Sequence, residues 1–288
     1  MNRRDTSIAE PALVVKAEPK ISTLMSTYHS ETASNLDASL RSLEAQSVLP
    51  DQLVLVVDGP VDRDQENVIA EFIARGKIPT TLVRFTSNRG LAEAMNAGLN
   101  RCLGQFVMRM DSDDICTSDR VEQQITYAET HPEIDVIAAW SEEFFEDGGR
   151  PQLKVTPAGH DGIVRALRWR NVVHHPTLMV RKKSLLAVGG YRSTFGFLED
   201  YDLFVRLVLS GARFHAIPKI LLYVRSSTAQ RSRRGGLKYL INEIKFRVEC
   251  LRTGFLSVRQ FLVITLMYTV FRLLSGAVRR RLYGLARI

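Results

Sequence analysis

Cysteine is scarce in this chain. Its 288 residues include three, Cys102, Cys116 and Cys250, odd in number and far apart. That spacing supports neither a disulfide framework nor a thiolate metal site, so a reducing compartment is the default. No Gly-x-Gly-x-x-Gly follows the first apolar strand pattern, and no Walker-type glycine loop with its lysine occurs anywhere. Dinucleotide and P-loop chemistry are therefore unsupported. The apolar tail has a longest charge-free run of twelve residues, 260–271, short of the roughly 18 that a spanning helix needs. No secretory signal is read either, because the apolar piece 11–15 is brief and closed by Lys16.

What is present is enough apolar residue, 45%, for one large α/β domain or a domain plus an appendage. The net charge of +8 is unevenly spread. Residues 225–288 hold 14 Lys/Arg against 2 Asp/Glu, leaving 25 basic and 29 acidic residues in 1–224. An acidic body with a basic tail differs from a uniformly basic nucleic-acid binder, and no nucleic-acid partner is expected.

Residues 1–19 hold charges, two prolines and no sustained period, and read as a mobile leader. After them strands and helices alternate. Apolar runs at 21–28, 52–58, 80–85 and 106–110 read as strands, and the pieces 33–46, 63–74 and 91–101 have helical spacing. Four strands alternating with three helices over residues 21–110 predict a doubly wound, mainly parallel sheet, in which ligands lie beyond the carboxyl ends of the strands. Thr27, Tyr28, Asp58, Asn88, Arg89, Gly90 and Asp111 all fall at those ends.

The stretch Phe106-Val-Met-Arg-Met-Asp-Ser-Asp-Asp-Ile115 is the focus. An apolar strand ends abruptly in carboxylates, placing Asp111, Ser112 and Asp113 in one turn. Two hard oxygen ligands in that position suit Mg²⁺ or Mn²⁺ held together with a substrate phosphate. The plainer alternative is an acidic turn that caps the next helix.

Seven ordered motifs decide between these. Ser26-Thr-Tyr-His29, Val57-Asp-Gly59, Asn88-Arg-Gly-Leu-Ala-Glu-Ala-Met-Asn-Ala-Gly98, Arg109-Met-Asp-Ser-Asp-Asp-Ile115, His175-Pro-Thr-Leu-Met-Val-Arg181 and Gly189-Gly-Tyr-Arg192 precede Glu199-Asp-Tyr-Asp-Leu203. Together they resemble the family 2 glycosyltransferases, enzymes of the GT-A fold that use nucleotide sugars. The resemblance covers about residues 20–225. It implies a GT-A (Rossmann-like) α/β domain with a nucleotide-sugar half, 20–115, and an acceptor half, 116–225. It implies that Thr27 and Tyr28 flank the base, Asp58 meets the nucleoside, and Arg89 lies near base or phosphate. Asp111 would meet ribose or metal, and Asp113 the metal. Two positions depart from the family pattern: Val57 replaces a second carboxylate before Asp58, and Met95 stands where many members have Arg or Lys. Both bear on which nucleotide is used; a UDP-sugar is the expected donor.

In the second half, 117–124 reads as a capped helix with Thr117 or Ser118 as N-cap, and 134–140 as a strand. Glu142, Glu143, Glu146 and Asp147 read as a solvated acidic loop. Adjacent His174 and His175 point opposite ways along an extended chain and cannot pair on a metal; His175 either lines the acceptor groove or is a packed imidazole. The glycines 189 and 190 predict a tight turn that brings Tyr191 and Arg192 to the groove wall. By resemblance the catalytic base lies in the Glu199-Asp200 motif, with Asp200 the choice and Glu199 the alternative; the plain reading is two acids in a first helical turn. Two short strands are expected at 214–217 and 221–225. Arg231, Arg233 and Arg234 then follow in a loop that either closes over the diphosphate or is simply solvated.

The tail, 226–288, reads as two helices, 237–251 and 257–285. Leu, Phe and Tyr mixed with arginines suggest a helix lying in the surface of an anionic bilayer through residues 237–288; packing on the catalytic domain or a dimer contact is the alternative. The expected setting is peripheral, at the cytoplasmic face of the inner membrane, with a glycan or lipid-linked acceptor. A sugar nucleotidyltransferase is the first competing function, but it requires a glycine-rich loop after the first strand, and Ser26-Thr-Tyr-His-Ser30 has no glycine. A non-enzymatic basic membrane- or nucleic-acid-binding module is the second, and it leaves Asp58, Asp111, Asp113 and Asp200 unexplained.

Overall fold

The computed structural model describes residues 20–146, 148–226 and 237–273. In chain order its elements are β1 (Ile21–Thr27), α1 (Ala33–Glu44), β2 (Gln52–Val57), α2 (Arg63–Arg75), β3 (Thr80–Arg84) and α3 (Leu91–Leu99). Then come β4 (Phe106–Asp111), β5 (Ile115–Cys116), α4 (Arg120–Thr130), β6 (Val136–Phe145), β7 (Gln152–Lys154) and α5 (His160–Leu167). A 3₁₀ turn (His175–Thr177) leads into β8 (Met179–Arg181), α6 (Lys182–Ala187), α7 (Glu199–Leu209), β9 (Phe214–Ser226), α8 (Leu237–Arg252) and α9 (Val258–Leu273).

The described strands form one sheet in the order β3-β2-β1-β4-β8-β6-β9-β5, with β7 on the free end of β6. β3, β2, β1 and β4 pair in parallel. β8 runs antiparallel to both β4 and β6, and β6 pairs in parallel with β9. The fold is therefore the expected mixed, mainly parallel α/β sheet.

Alternation sets the two faces. Leu24, Val54 and Val56 point to one side, against Met95 and Leu99 of α3 and Leu203 and Leu207 of α7. Met25, Leu53, Leu55 and Val57 point to the other, against Leu36 and Leu40 of α1, Ile69 and Phe72 of α2 and Val121 and Ile125 of α4. Both faces of the strands are buried, which is why they read as continuous apolar runs. Truncating a buried leucine such as Leu203 to alanine is expected to cost about 2–5 kcal/mol.

Three expectations are corrected. The strand expected at 134–140 is Val136–Phe145, so Glu142 and Glu143 lie on a strand rather than in a loop; Glu143 pairs with Lys154 at 3.3 Å, Glu146 beyond the strand end pairs with Arg225, and Asp147 lies outside the described residues. The two strands at 214–217 and 221–225 are one, bulged where Pro218 and Lys219 have no partner between Ala139 and Trp140. Proline lacks a ladder donor, so a bulge absorbs it without ending the strand. Helix α4 starts at Arg120 after Asp119, with no side-chain cap from Thr117 or Ser118. The tail helices pack on the domain, as the alternative had it. Phe246 packs on Phe195 and Tyr201, with ring centroids 5.5 and 4.8 Å away, and Cys250, Phe255, Leu256 and Ile264 join the α7 side of the core. All three cysteines are free and buried, and burial pushes the thiols of Cys102 and Cys250 up to about 12.

Candidate active site

Parallel pairing sends the ends of β1, β2 and β4 to one edge of the sheet, and the loops that leave there build the site. The β2 loop is fixed by its own carboxylate. Asp58 is buried, and its two oxygens accept from the main-chain N–H of Arg89 (2.7 Å) and Gly90 (2.9 Å). Gly59 allows that closeness: its φ is +89°, and a Cβ there would lie 2.7 Å from the amide nitrogen of Asn88. Arg89 itself is exposed, its guanidinium 4.6 Å from the centre of the Phe85 ring. Tyr28 is 38% exposed at the same edge, whereas the Thr27 side chain is fully buried and cannot lie flat on a base.

The β4 turn brings three carboxylates together. Oxygens of Asp111, Asp113 and Asp114 all lie within 4.8 Å of one another. Ser112 between them is buried. Burial first, then the charge of Asp111, then that of Glu31, pushes Asp113 up to about 7; Asp114 is driven well above the carboxylate range by burial and by its two acidic neighbours. One oxygen of Asp114 is buried without a hydrogen-bond partner among the described residues. Carboxylates crowded at this density, one with an orphaned oxygen, form a hard-oxygen set that fits Mg²⁺ or Mn²⁺.

Three arginines hold the turn. Arg109, almost fully buried, forms an ion pair with Asp111. Arg120, also buried, donates through one Nη to the carbonyls of Arg109 and Pro176, each at 2.8 Å, tying β4 to the 3₁₀ turn. Arg225 comes from the far end of β9. Its N–H donates to Asp114 Oδ1 and its Nε to the carbonyl of Asp113, both at 3.1 Å. Sequence reasoning gave none of these arginines, nor Asp114, a role. For Asp114 a signal existed, a third carboxylate in the same turn.

Asp200 lies in the first turn of α7, where Asn171 Nδ2 donates to Oδ2 at 2.9 Å and the Tyr201 N–H to Oδ1 at 2.6 Å. Glu199 precedes it, half-buried. The Tyr191 phenol is pushed up by burial first, with Arg109 opposing and Asp200 and Asp111 adding to the rise.

The glycine turn forms as expected, with φ of +75° at Gly189 and +67° at Gly190, but it does not put Tyr191 on a groove wall. Tyr191 is buried, clasped through its main chain by Asn96 at 2.8 and 2.9 Å. Its hydroxyl lies 3.0 Å from His175 Nε2. His175 is the packed imidazole rather than a groove residue, and burial, then Arg109, then His174 hold its pKa well below the usual range. Arg192 is exposed at the surface. Arg231 and Arg234 lie outside the described residues.

The chain is similar to known proteins. The family model for glycosyl transferase family 2 matches residues 22–189. The amylovoran biosynthesis glycosyltransferase AmsE of Erwinia amylovora is 33% identical over 265 residues, covering 91% of this chain and 97% of that one. The UDP-Gal:alpha-D-GlcNAc-diphosphoundecaprenol beta-1,3-galactosyltransferase of Escherichia coli is 30% identical over 266 residues, covering 92% and 95%. Among solved structures, S. aureus TarS 1–349 in complex with UDP-GlcNAc superposes with a TM-score of 0.64 at 21% identity, covering 81% of this chain and 66% of that one. The mannosyltransferase PcManGT of Pyrobaculum calidifontis, in complex with GDP-Man and Mn²⁺, gives 0.62 at 16% identity, covering 82% and 65%. The chain spans 40% of the longer TarS structure. These last likenesses bear on the fold, which is GT-A. With relatives matched nearly end to end and the family model spanning both the β1 edge and the acidic turn, the chain belongs to glycosyl transferase family 2 and is a glycosyltransferase.

Proposed function

We propose that this enzyme moves a sugar, with inversion, from a nucleoside diphosphate carrier to a hydroxyl of a lipid-linked glycan in cell-surface polysaccharide assembly. The observation that carries the reading is the cluster of Asp111, Asp113 and Asp114 oxygens within 4.8 Å at the carboxyl edge of a parallel sheet. Asp113, with Asp111, would hold Mn²⁺ or Mg²⁺; Asp114, whose Oδ1 accepts from the Arg225 N–H, is their buried neighbour. When bound, such an ion neutralises charge on the departing diphosphate.

The chain's own residues do the rest. Tyr28 and the loop held by Asp58 form the side of the edge where a nucleoside would rest, and the exposed guanidinium of Arg89 suits a base face or a phosphate. Thr27, being buried, contributes through its main chain. Asp200 is the proposed base. Its carboxylate, oriented by Asn171 and the Tyr201 N–H, accepts the acceptor's hydroxyl proton as that oxygen attacks the anomeric carbon. Glu199 is the alternative. Arg192 is exposed where it can meet acceptor.

A UDP-sugar is the proposed donor. A lipid-linked acceptor is supported by the diphosphoundecaprenol acceptor in the name of the E. coli relative and by the basic tail. The enzyme would then work peripherally on the cytoplasmic face of the membrane through residues 237–288. Incubating the protein with UDP-, dTDP- and GDP-sugars and Mn²⁺ tests the donor. The reading expects thermal stabilisation and slow hydrolysis with UDP-sugars; no response to any of them contradicts it.

A further inference from the structure

Helix α9 is apolar on two sides. One side is used up by the domain: Ile264 is buried, and Tyr268 lies beneath the Arg247 guanidinium, 4.1 Å from its centre. The opposite side carries Val258, Leu262, Leu266 and Val270 at every fourth position, with Val263 and Met267 beside them. All six are 39% to 66% exposed. A helix that serves only as a strut presents polar residues outward. Single exposed apolar residues are ordinary, but a continuous stripe of six over about four turns marks a contact surface.

Charge identifies the partner. Val258–Leu273 contains Arg259 and Arg272 and no carboxylate, and Arg252 and Arg259 are exposed around the start of the helix. From 274 onward the sequence adds Arg279, Arg280, Arg281 and Arg287 and no acidic residue. An apolar stripe bordered by cations complements an anionic lipid surface, where apolar side chains enter the acyl boundary and arginines meet headgroups. A second copy packed on the same stripe would set these cations against their own equivalents. No described helix is long and apolar enough to cross a membrane, so the stripe would lie in the surface plane.

We propose that the outward face of α9 is a docking face for an anionic bilayer and that it fixes the orientation of the site. The coupling is physical: α9 packs on α8, and Phe246 of α8 packs on Tyr201, the residue after Asp200. A docked α9 therefore holds the start of α7 in one attitude to the lipid surface, where the hydroxyl of a lipid-linked acceptor would arrive. This rests on the membrane-facing reading above and names the surface that performs it.

The test uses the full-length chain and vesicles of phosphatidylcholine, with and without phosphatidylglycerol. The wild type is expected to sediment with the anionic vesicles and much less with the neutral ones. The exposed triple variant L262S/L266S/M267S should lose roughly ten-fold or more in partitioning, with an unchanged melting temperature and unchanged hydrolysis of donor sugar in solution. Wild-type protein that ignores anionic vesicles, or a triple variant that partitions like wild type, overturns the proposal. So does a wild-type dimer that the triple variant splits with no change in vesicle binding, since that places a second copy on the stripe. Loss of donor turnover with partitioning intact would count against the catalytic reading alone.

Discussion

The side chain of Arg225 reaches back from the end of β9 to donate an Nε hydrogen bond to the main-chain carbonyl of Asp113, 3.1 Å away. The same residue's N–H holds Asp114, its guanidinium lies 4.9 Å from the centre of the Phe144 ring, and Glu146 pairs with it from outside. One residue thus fixes both the backbone and a carboxylate of the acidic turn. Arg225→Met keeps the aliphatic stem and removes both the charge and the Nε donor to Asp113. It is expected to raise the Mn²⁺ concentration for half-maximal rate by about ten-fold, from loss of one charge-assisted bond, with a smaller fall in kcat. Arg225→Lys should recover part of it. A metal titration of both variants checks this, and an unchanged half-maximal concentration contradicts the bracing role.

Asp113 should give the site a pH signature. Its pKa is raised from 3.8 to about 7, so the folded protein binds this proton more tightly than the unfolded chain. The associated stability is complete below about pH 4 and is lost as pH rises through about 7. Without divalent ions, wild type should therefore lose stability relative to Asp113→Asn over that window. Mn²⁺ gives the ionised carboxylates a partner, so its stabilising effect should be larger at pH 8 than at pH 5. Thermal melts at the two pH values, with and without Mn²⁺, measure both effects; a Mn²⁺ response independent of pH contradicts them.

The His175–Tyr191 pair separates structure from chemistry. Tyr191→Phe removes the hydroxyl 3.0 Å from His175 Nε2 and leaves that nitrogen unpaired in the interior. A loss of about 1–3 kcal/mol is expected, read by denaturant unfolding, with KM for the donor within about two-fold of wild type. A large rise in KM with unaltered stability would return the pair to the groove.

Asp200 and Asp113 should fail differently. Asp200→Asn is nearly isosteric and keeps one oxygen to accept from the Tyr201 N–H while losing the charge and the second acceptor, so donor binding should survive while transfer falls about 10²–10⁴-fold. Asp113→Ala should instead abolish the metal-dependent part of donor binding. Calorimetric titration of UDP alongside transfer assays distinguishes the two; parallel losses of binding in both variants would remove Asp200 from its proposed role.

These contrasts also show where local pattern suffices. β1, β2 and β4 are buried on both faces, so their runs and their polar ends could be read directly, as could the carboxylates at 111 and 113. β8 and β5 have three and two residues, too few for any period. The bulge at Pro218 mimics a strand end, because only the partner strand reveals that pairing resumes. Arg225 acts on a residue 112 positions away, and Arg120 joins β4 to a turn 56 positions on. Nothing in the composition around either arginine distinguishes a brace from a solvated charge. The burial of Thr27, Tyr191 and His175 is not legible in their local sequence, because it depends on packing by distant elements.

The most direct measurement is the release of nucleoside diphosphate from a UDP-sugar by the wild type, with Mn²⁺ and with the metal chelated. The account predicts turnover that depends on the ion and disappears in Asp113→Ala at every Mn²⁺ concentration. Equal turnover in chelator, or an Asp113→Ala variant as active as wild type, would contradict it.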